Sequence, residues 1–196
     1  MVTMINSFKK INIPDQWFFC NPLETENYKI VKKLTKKTGI VFFNNNLKKN
    51  EDFIKNIKPF IHLCQKNRIM FLIQSSLYWA NKFKAIGILI DLNNNPLINM
   101  VNLRTIKKKF LLATKVHNNV EALNCRDWIN ISFISNIYNT SSHPKRRNLN
   151  IYEVLMLSKT LRSRINFGLG GLTKKKFHRV KNKWLYGFGA ISYFKK

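Results

Sequence analysis

The chain alternates eight times between a short, continuously apolar run and a longer polar stretch with helical spacing, one unit about every 24 residues. The apolar runs are Trp17–Cys20, Gly39–Phe43, Ile69–Ile73, Ile86–Ile90, Phe110–Thr114, Trp128–Ile134, Ile165–Gly171 and Leu185–Ser192. A strand that is apolar at every position is covered on both faces, as strands of parallel sheets are. The stretches between them read as helices. One covers residues 24–37. A second opens at Asn50 and carries Phe53, Ile57, Phe60, Ile61 and Cys64 on one face. A third follows Ser75 or Ser76 with Leu77, Trp79, Ala80 and Phe83. Further helices are expected over 101–108, from Asn118 or Asn119 with Val120, Ala122 and Leu123, and over 151–162 with Val154, Leu155, Leu157 and Leu161. The last, over 173–183, has Thr173 as its cap. Eight such units argue for an α/β fold, a small (β/α)8 TIM barrel spanning residues 1–196 as one domain. An open doubly wound sheet is the competitor, but no G-x-G-x-x-G follows the first strand.

Composition narrows the class. With 196 residues, 45% of them hydrophobic, the chain can build one full core. It has no run of 18 apolar residues, so no membrane span is expected, and no apolar stretch follows Lys9 and Lys10 to suggest a secretory signal. Cys20, Cys64 and Cys125 are odd in number and widely spaced, which suggests neither a disulfide framework nor a zinc site and fits a cytoplasmic protein. The net charge of +26 would favour a polyanion. Two features count against a dedicated nucleic-acid surface. The lysines are spread along the chain, and Lys, Asn, Ile and Phe are all abundant, as A/T-rich codon usage would make them. Lys107–Lys109, Lys145–Arg147 and Lys174–Lys176 are short runs that a solvated face explains. No specific nucleic-acid partner is expected. The oligomeric state is left open.

Five of the seven glycines fall in the last 29 residues, at the ends of the seventh and eighth apolar runs. Two readings stand. Glycine at the exits of neighbouring parallel strands exposes backbone N–H groups and makes a phosphate cradle, the usual arrangement after the last two strands of a TIM barrel. Alternatively, the glycines relieve crowding inside the barrel.

The order of motifs adds a family resemblance. Gly39-Ile40-Val41-Phe42 is followed by Phe71-Leu72-Ile73 and by the polar loop Ser135 to Pro144. Leu169-Gly170-Gly171 and Tyr186-Gly187-Phe188-Gly189-Ala190-Ile191-Ser192 come last. Together they resemble the thiamine phosphate synthase/TenI family over roughly residues 17–193, closest to a divergent branch whose loop after the sixth strand reads Ser-His-Pro. The resemblance implies a TIM barrel that acts on a thiazole phosphate. The synthases join it to an aminopyrimidine diphosphate, releasing pyrophosphate with Mg2+ bound. The TenI relatives aromatise the thiazole phosphate without a metal. It also implies that Gly170, Gly171, Ile191 and Ser192 hold the phosphate through backbone N–H groups, that Thr140 and Ser142 contact the thiazole half, and that His143 replaces the usual lysine.

The other half departs from the family pattern. Val41, Phe43 and Asn45 stand where the synthases carry Gln, Arg and Lys for the diphosphate. Gln74-Ser75 stands where Asn-Asp is expected, and Asn94 where a second metal-binding aspartate is expected, with Asp91 a shifted substitute. Magnesium prefers anionic oxygens, so the metal set looks depleted. Lys115 and His117, after the fifth strand, fall near the family's Ser-x-His position and join His143 as catalytic candidates. Asp91 and Asn94 are the candidate metal ligands. Each also has a plain alternative: a solvated lysine, a histidine that orders its own loop. His62 and His178 fall in helical stretches and read as structural or exposed. Nothing suggests paired carboxylates or a Ser-His-Asp triad. The expected function is that of a thiamine-biosynthesis protein resembling the synthase. A metal-independent thiazole tautomerase and a non-catalytic phosphate-binding barrel are the alternatives.

Overall fold

Residues of the apolar runs face two separate layers in turn, and this alternation is what allows the sheet to close on itself. A computed structural model of the chain describes residues 12–43, 50–74, 77–91, 105–140 and 147–195. Its strands are β1 (Gln16–Cys20), β2 (Thr38–Phe42), β3 (Phe71–Ile73), β4 (Gly87–Ile90), β5 (Leu111–Val116), β6 (Ile131–Ile134), β7 (Ile165–Leu169) and β8 (Leu185–Ala190). They pair in parallel in chain order, and β8 returns to β1 to close the barrel. Around it lie α1 (Glu26–Lys33), α2 (Asn50–Lys66), α3 (Leu77–Lys82), α4 (Asn119–Cys125), α5 (Ile151–Thr160) and α6 (Lys174–Val180). A helical turn at 105–107 and a terminal 3-10 turn, Ser192–Lys195, complete the described elements.

The inner layer holds Trp17, Phe19, Val41, Leu72, Leu89, Leu111, Ala113, Phe133, Phe167 and Leu169. The intervening residues, Phe18, Ile40, Phe42, Ile73 and Ile90 among them, face outward against helix residues such as Val31, Phe53, Ile57 and Ala80. Four rings fill much of the lumen. Trp17 meets Phe133 and Phe167 edge-on at 6.3 and 6.0 Å, Phe19 meets Phe133 edge-on at 4.9 Å, and Phe133 stacks on Phe167 at 5.4 Å. Such pairs gain about 0.5–1.5 kcal/mol beyond the burial itself. Glycine makes room for them: a Cβ at Gly39 would lie 2.5 Å from the Trp17 ring, and one at Gly189 would lie 2.7 Å from the Phe19 ring. Crowding therefore accounts for Gly189. At the amino end Tyr186 is the extra residue of a β-bulge between the pairs Asn166–Leu185 and Phe167–Gly187. Its hydroxyl donates to the Ile13 carbonyl at 3.0 Å, and its ring meets Phe167 edge-on at 5.7 Å.

Three of the helices start where capping chemistry puts them, while Thr25 before α1 makes no side-chain cap. Asn118, Asn150 and Thr173 each accept a backbone N–H three residues on, and Asn150 with Glu153 forms a full capping box. Not every apolar helix position faces the barrel as the spacing suggests. Leu77, Val120, Leu123 and Leu155 are exposed, while Ala122, Cys125, Val154 and Leu157 make the inward contacts. These helices are short, so one or two residues suffice to cover their strands. The described lysines lie on α1, α2, α3, α5, α6, the loops, the terminal 3-10 turn (Lys195) and β5 (Lys115); α4 carries none. All of them are exposed except the half-buried Lys107 and Lys115. Among the described residues no helix is long and apolar enough to cross a membrane.

A buried polar knot fastens the second half of the barrel. Asn166 on β7 accepts the Ser132 hydroxyl at 2.7 Å, and its amide nitrogen donates to the carbonyls of Ser158, Leu161 and Trp184 at 3.0–3.2 Å. One side chain thus ties together β6, β7, the end of α5 and the entry to β8. Replacing Asn166 by Leu leaves these groups buried without partners. The substitution is expected to cost about 2–4 kcal/mol in urea unfolding.

The three cysteines are free and buried. Burial pushes the Cys64 and Cys125 thiols up to about 12, and burial with the nearby Cys64 raises Cys20 well above the ordinary range. The folded state therefore favours the neutral thiol. This contribution is complete below the unfolded thiol's pKa of about 8.5 and is lost as pH rises toward 12. At pH 9, iodoacetamide should label none of the three until urea unfolds the chain; fast labelling of the folded protein would contradict their burial.

Candidate functional site

Parallel strands all end at one mouth, so residues following different strands converge there. Asp91 follows β4, Lys115 lies at the end of β5 with His117 after it, and Gly170-Gly171 and Ile191-Ser192 follow β7 and β8. Ser75, Asn45, Asn94, Ser142 and His143 lie outside the described residues.

The loop after β6 folds onto the exit of β7. The N–H of Ile137 donates to the Leu169 carbonyl at 3.0 Å, and that of Tyr138 to the Gly170 carbonyl at 3.1 Å. Leu149 N–H donates back to the Asn136 carbonyl at 2.8 Å, and Asn148 Nδ2 to Asn139 Oδ1 at 2.7 Å, so the loop is tied at both ends. Thr140 is thereby carried to the glycine pair from thirty residues away in sequence. Gly170 and Gly171 have φ of +97° and +59°. A Cβ on Gly170 would lie 3.1 Å from Asn136 Cα. One on Gly171 would lie 2.9 Å from Tyr138 Cβ and run into the Asn139 carbonyl. Backbone conformation and close approach both require glycine here, and lumen crowding does not.

The β8 exit flanks this point, because Leu169 is in register with Gly189. Its 3-10 turn begins with Phe194 N–H donating to the Ile191 carbonyl at 3.2 Å. Lys195 then reaches Glu24 at 2.8 Å and Glu26 at 2.5 Å, fastening the exit to the start of α1, and these hydrogen bonds raise its pKa. On the β7 side Thr173 caps α6, and the Lys176 ammonium sits 5.1 Å above the Tyr138 ring. The structure therefore brings together Thr140, Gly170, Gly171, Ile191 and Ser192 on neighbouring segments.

Across the mouth the described ends of β1 and β2 are apolar. Val41 is fully buried and Phe43 is 5% exposed, its ring 5.9 Å from Phe19. Lys115 continues the inward face of β5 after Leu111 and Ala113, and its ammonium lies 5.7 and 5.3 Å from the Phe19 and Phe43 ring centroids. That is cation–π contact. Glu121 Oε2 accepts the His117 N–H at 2.8 Å and lies 3.1 Å from its Nδ1, while Asn118 caps the same helix and donates to Glu121 Oε1 at 3.0 Å. A carboxylate thus fixes the imidazole, an arrangement suited to proton transfer. Among the described residues no group of three His, Cys, Asp or Glu is placed to hold a metal ion. Asp91 is the one carboxylate described at the exits of β3 and β4, which is a poor donor set for Mg2+.

Three contributors escaped the sequence reading: Glu121, Phe19 and Lys176. Asn118-x-x-Glu121 is a capping pattern and was legible as such. Phe19 could be placed only once the inward face of β1 was known. Lys176 sits in a run that looks like any solvated lysine cluster.

Gly171→Ala should destabilise the protein by roughly 1–3 kcal/mol and displace residues 136–139. Gly168→Ala should cost less, since its Cβ would meet only the flexible ends of Ile137 and Leu172. Urea unfolding of the pair gives the order, and equal costs would contradict the special role of Gly171.

A family model described as thiamine monophosphate synthase matches residues 19–193. No curated protein matches the chain by sequence. Solved structures agree in fold. A thiamine phosphate pyrophosphorylase from Pyrococcus furiosus is 13% identical with a TM-score of 0.63, over 90% of this chain and 84% of that one. One from Bacteroides thetaiotaomicron is 15% identical with a TM-score of 0.54, over 91% and 82%. An N-acetylmannosamine-6-phosphate 2-epimerase from Clostridium perfringens shares the barrel at 10% identity with a TM-score of 0.61, over 92% and 87%. The match across nearly the whole barrel, with the glycine exits of β7 and β8 inside it, shows that the chain belongs to the thiamine monophosphate synthase/TenI family.

Proposed function

We propose that this protein binds a thiazole phosphate at the exits of β7 and β8 and acts in thiamine biosynthesis as a divergent synthase-like transferase. The observation that carries the reading is the Gly170-Gly171 pair, held at positive φ beneath the β6 loop at the exit of β7, the strand that pairs with β8. Backbone N–H groups at such a point suit a phosphate dianion. Thr140 lies on the overlying loop, and the family resemblance implies contact roles for Ser142 and His143. In the synthase reaction the thiazole nitrogen forms a bond to the pyrimidine methylene carbon as the carbon–oxygen bond to pyrophosphate breaks. Mg2+, where used, would stabilise the leaving pyrophosphate. Asp91 is the described side chain that would meet it, and with so few anionic donors the metal is expected to arrive with the diphosphate. Among the described residues Lys115 is a cation on that side of the mouth.

One observation favours the tautomerase alternative. Val41 and Phe43, both buried and apolar, stand where the family resemblance puts diphosphate donors, whereas His117, oriented by Glu121, suits metal-free proton transfer on a bound thiazole phosphate. Activity separates the two. Purified protein should form thiamine phosphate from the two substrates with Mg2+, and expression should rescue a strain lacking the synthase. His117→Asn should then lower kcat by less than tenfold. If instead thiazole aromatisation proceeds without metal and His117→Asn reduces it a hundredfold or more, the tautomerase reading replaces the synthase one. No turnover in either assay would leave only a phosphate-binding barrel.

A further inference from the structure

The exposed residues of α4 and α5 form an apolar face that neither the mouth nor the core uses. Val120 (67% exposed) and Leu123 (45%) lie on α4; Ile151 (55%), Tyr152 (75%), Leu155 (37%) and Met156 (59%) lie on α5. The two helices pack side by side, joined by a Thr160 hydroxyl to Asn119 Oδ1 contact of 3.4 Å. On α5 the four follow the i, i+1, i+4, i+5 spacing of one outward stripe, opposite the buried Val154, Leu157 and Ser158. Six side chains at these exposures present on the order of 600 Å2 of apolar surface, the upper end of what a monomer normally leaves bare. A stable dimer needs about 800 Å2 per partner, which a polar rim would complete.

Charge identifies the occupant. Across α4 and α5 the charged residues are Glu121, Glu153 and Lys159, and Arg147 just before α5 pairs with Glu153 at 2.8 Å, so the face with this cation is net zero. Each of the other described helices is net positive, from the single Lys82 of α3 to the three lysines and one arginine of α6, on a chain of +26. An acidic partner is drawn to those helices. Two copies of this chain repel each other wherever lysines would meet, and among the described helices only the α4–α5 face lets them approach without that cost. An apolar, near-neutral face related to itself by a twofold axis is also self-complementary. We propose that the α4–α5 face is the contact surface of a homodimer, in which two helices from each copy pack through these side chains.

Sedimentation velocity of the full chain tests it. Wild type should sediment as a dimer at micromolar concentration, and association should tighten as NaCl rises from about 0.1 to 0.5 M, because salt screens the repulsion between two cationic chains. The pair Tyr152→Glu with Met156→Lys, and separately Val120→Lys on the other helix, should each weaken association at least tenfold. Tyr78→Glu, on the exposed face of α3, should not. A monomer at every concentration and salt, or a dimer that survives both sets of α4–α5 substitutions, would overturn the proposal.

Discussion

The interior of an eight-stranded parallel barrel holds only about three layers of four side chains, and here Trp17, Phe19, Phe133 and Phe167 claim much of that volume. So many rings fit because Gly39 and Gly189 face Trp17 and Phe19 with nothing but hydrogen. The rings interlock edge-on and stacked, so the lumen is a rigid apolar plug rather than a polar well. Everything polar at the mouth is consequently pushed to the strand exits and to the loops that follow them.

That plug divides the mouth. On the β1–β2 side it continues upward through Phe19 and Phe43, with Lys115 as the cation above them. On the β6–β8 side it ends at Leu169, and the chain turns through two positive-φ glycines beneath a loop fastened by backbone hydrogen bonds. Among the described residues the first half offers burial and the Lys115 ammonium group. The second offers backbone and short polar side chains.

The barrel was legible because its signal is repeated: each strand is mostly apolar, with few polar positions such as Ser132 and Asn166, and three of the helices begin at a capping residue that the sequence displays, Asn118, Asn150 and Thr173. The phosphate side was half legible. Gly170 and Gly171 stood out, but the same residue type at Gly189 serves only to clear the Phe19 ring, and sequence alone does not separate a backbone requirement from a packing one. The cation–aromatic group at Lys115 was beyond reach, since Phe19 and Phe43 come from strands far from Lys115 in sequence and meet it only when the barrel closes. Helix periodicity misled in a specific way: on α4 and α5 the apolar positions outnumber what the strands beneath can cover, and the surplus is exposed.

The proposed phosphate site lies at the exits of β7 and β8. Backbone amide shifts in a 15N-labelled sample titrated with thiazole phosphate test it most directly. The account predicts the largest shifts at Gly170, Gly171, Ile191 and Ser192, saturating together, with Thr140 following. Shifts confined to Lys115, His117 and the Phe43 strand end, with the glycine amides unmoved, would contradict it.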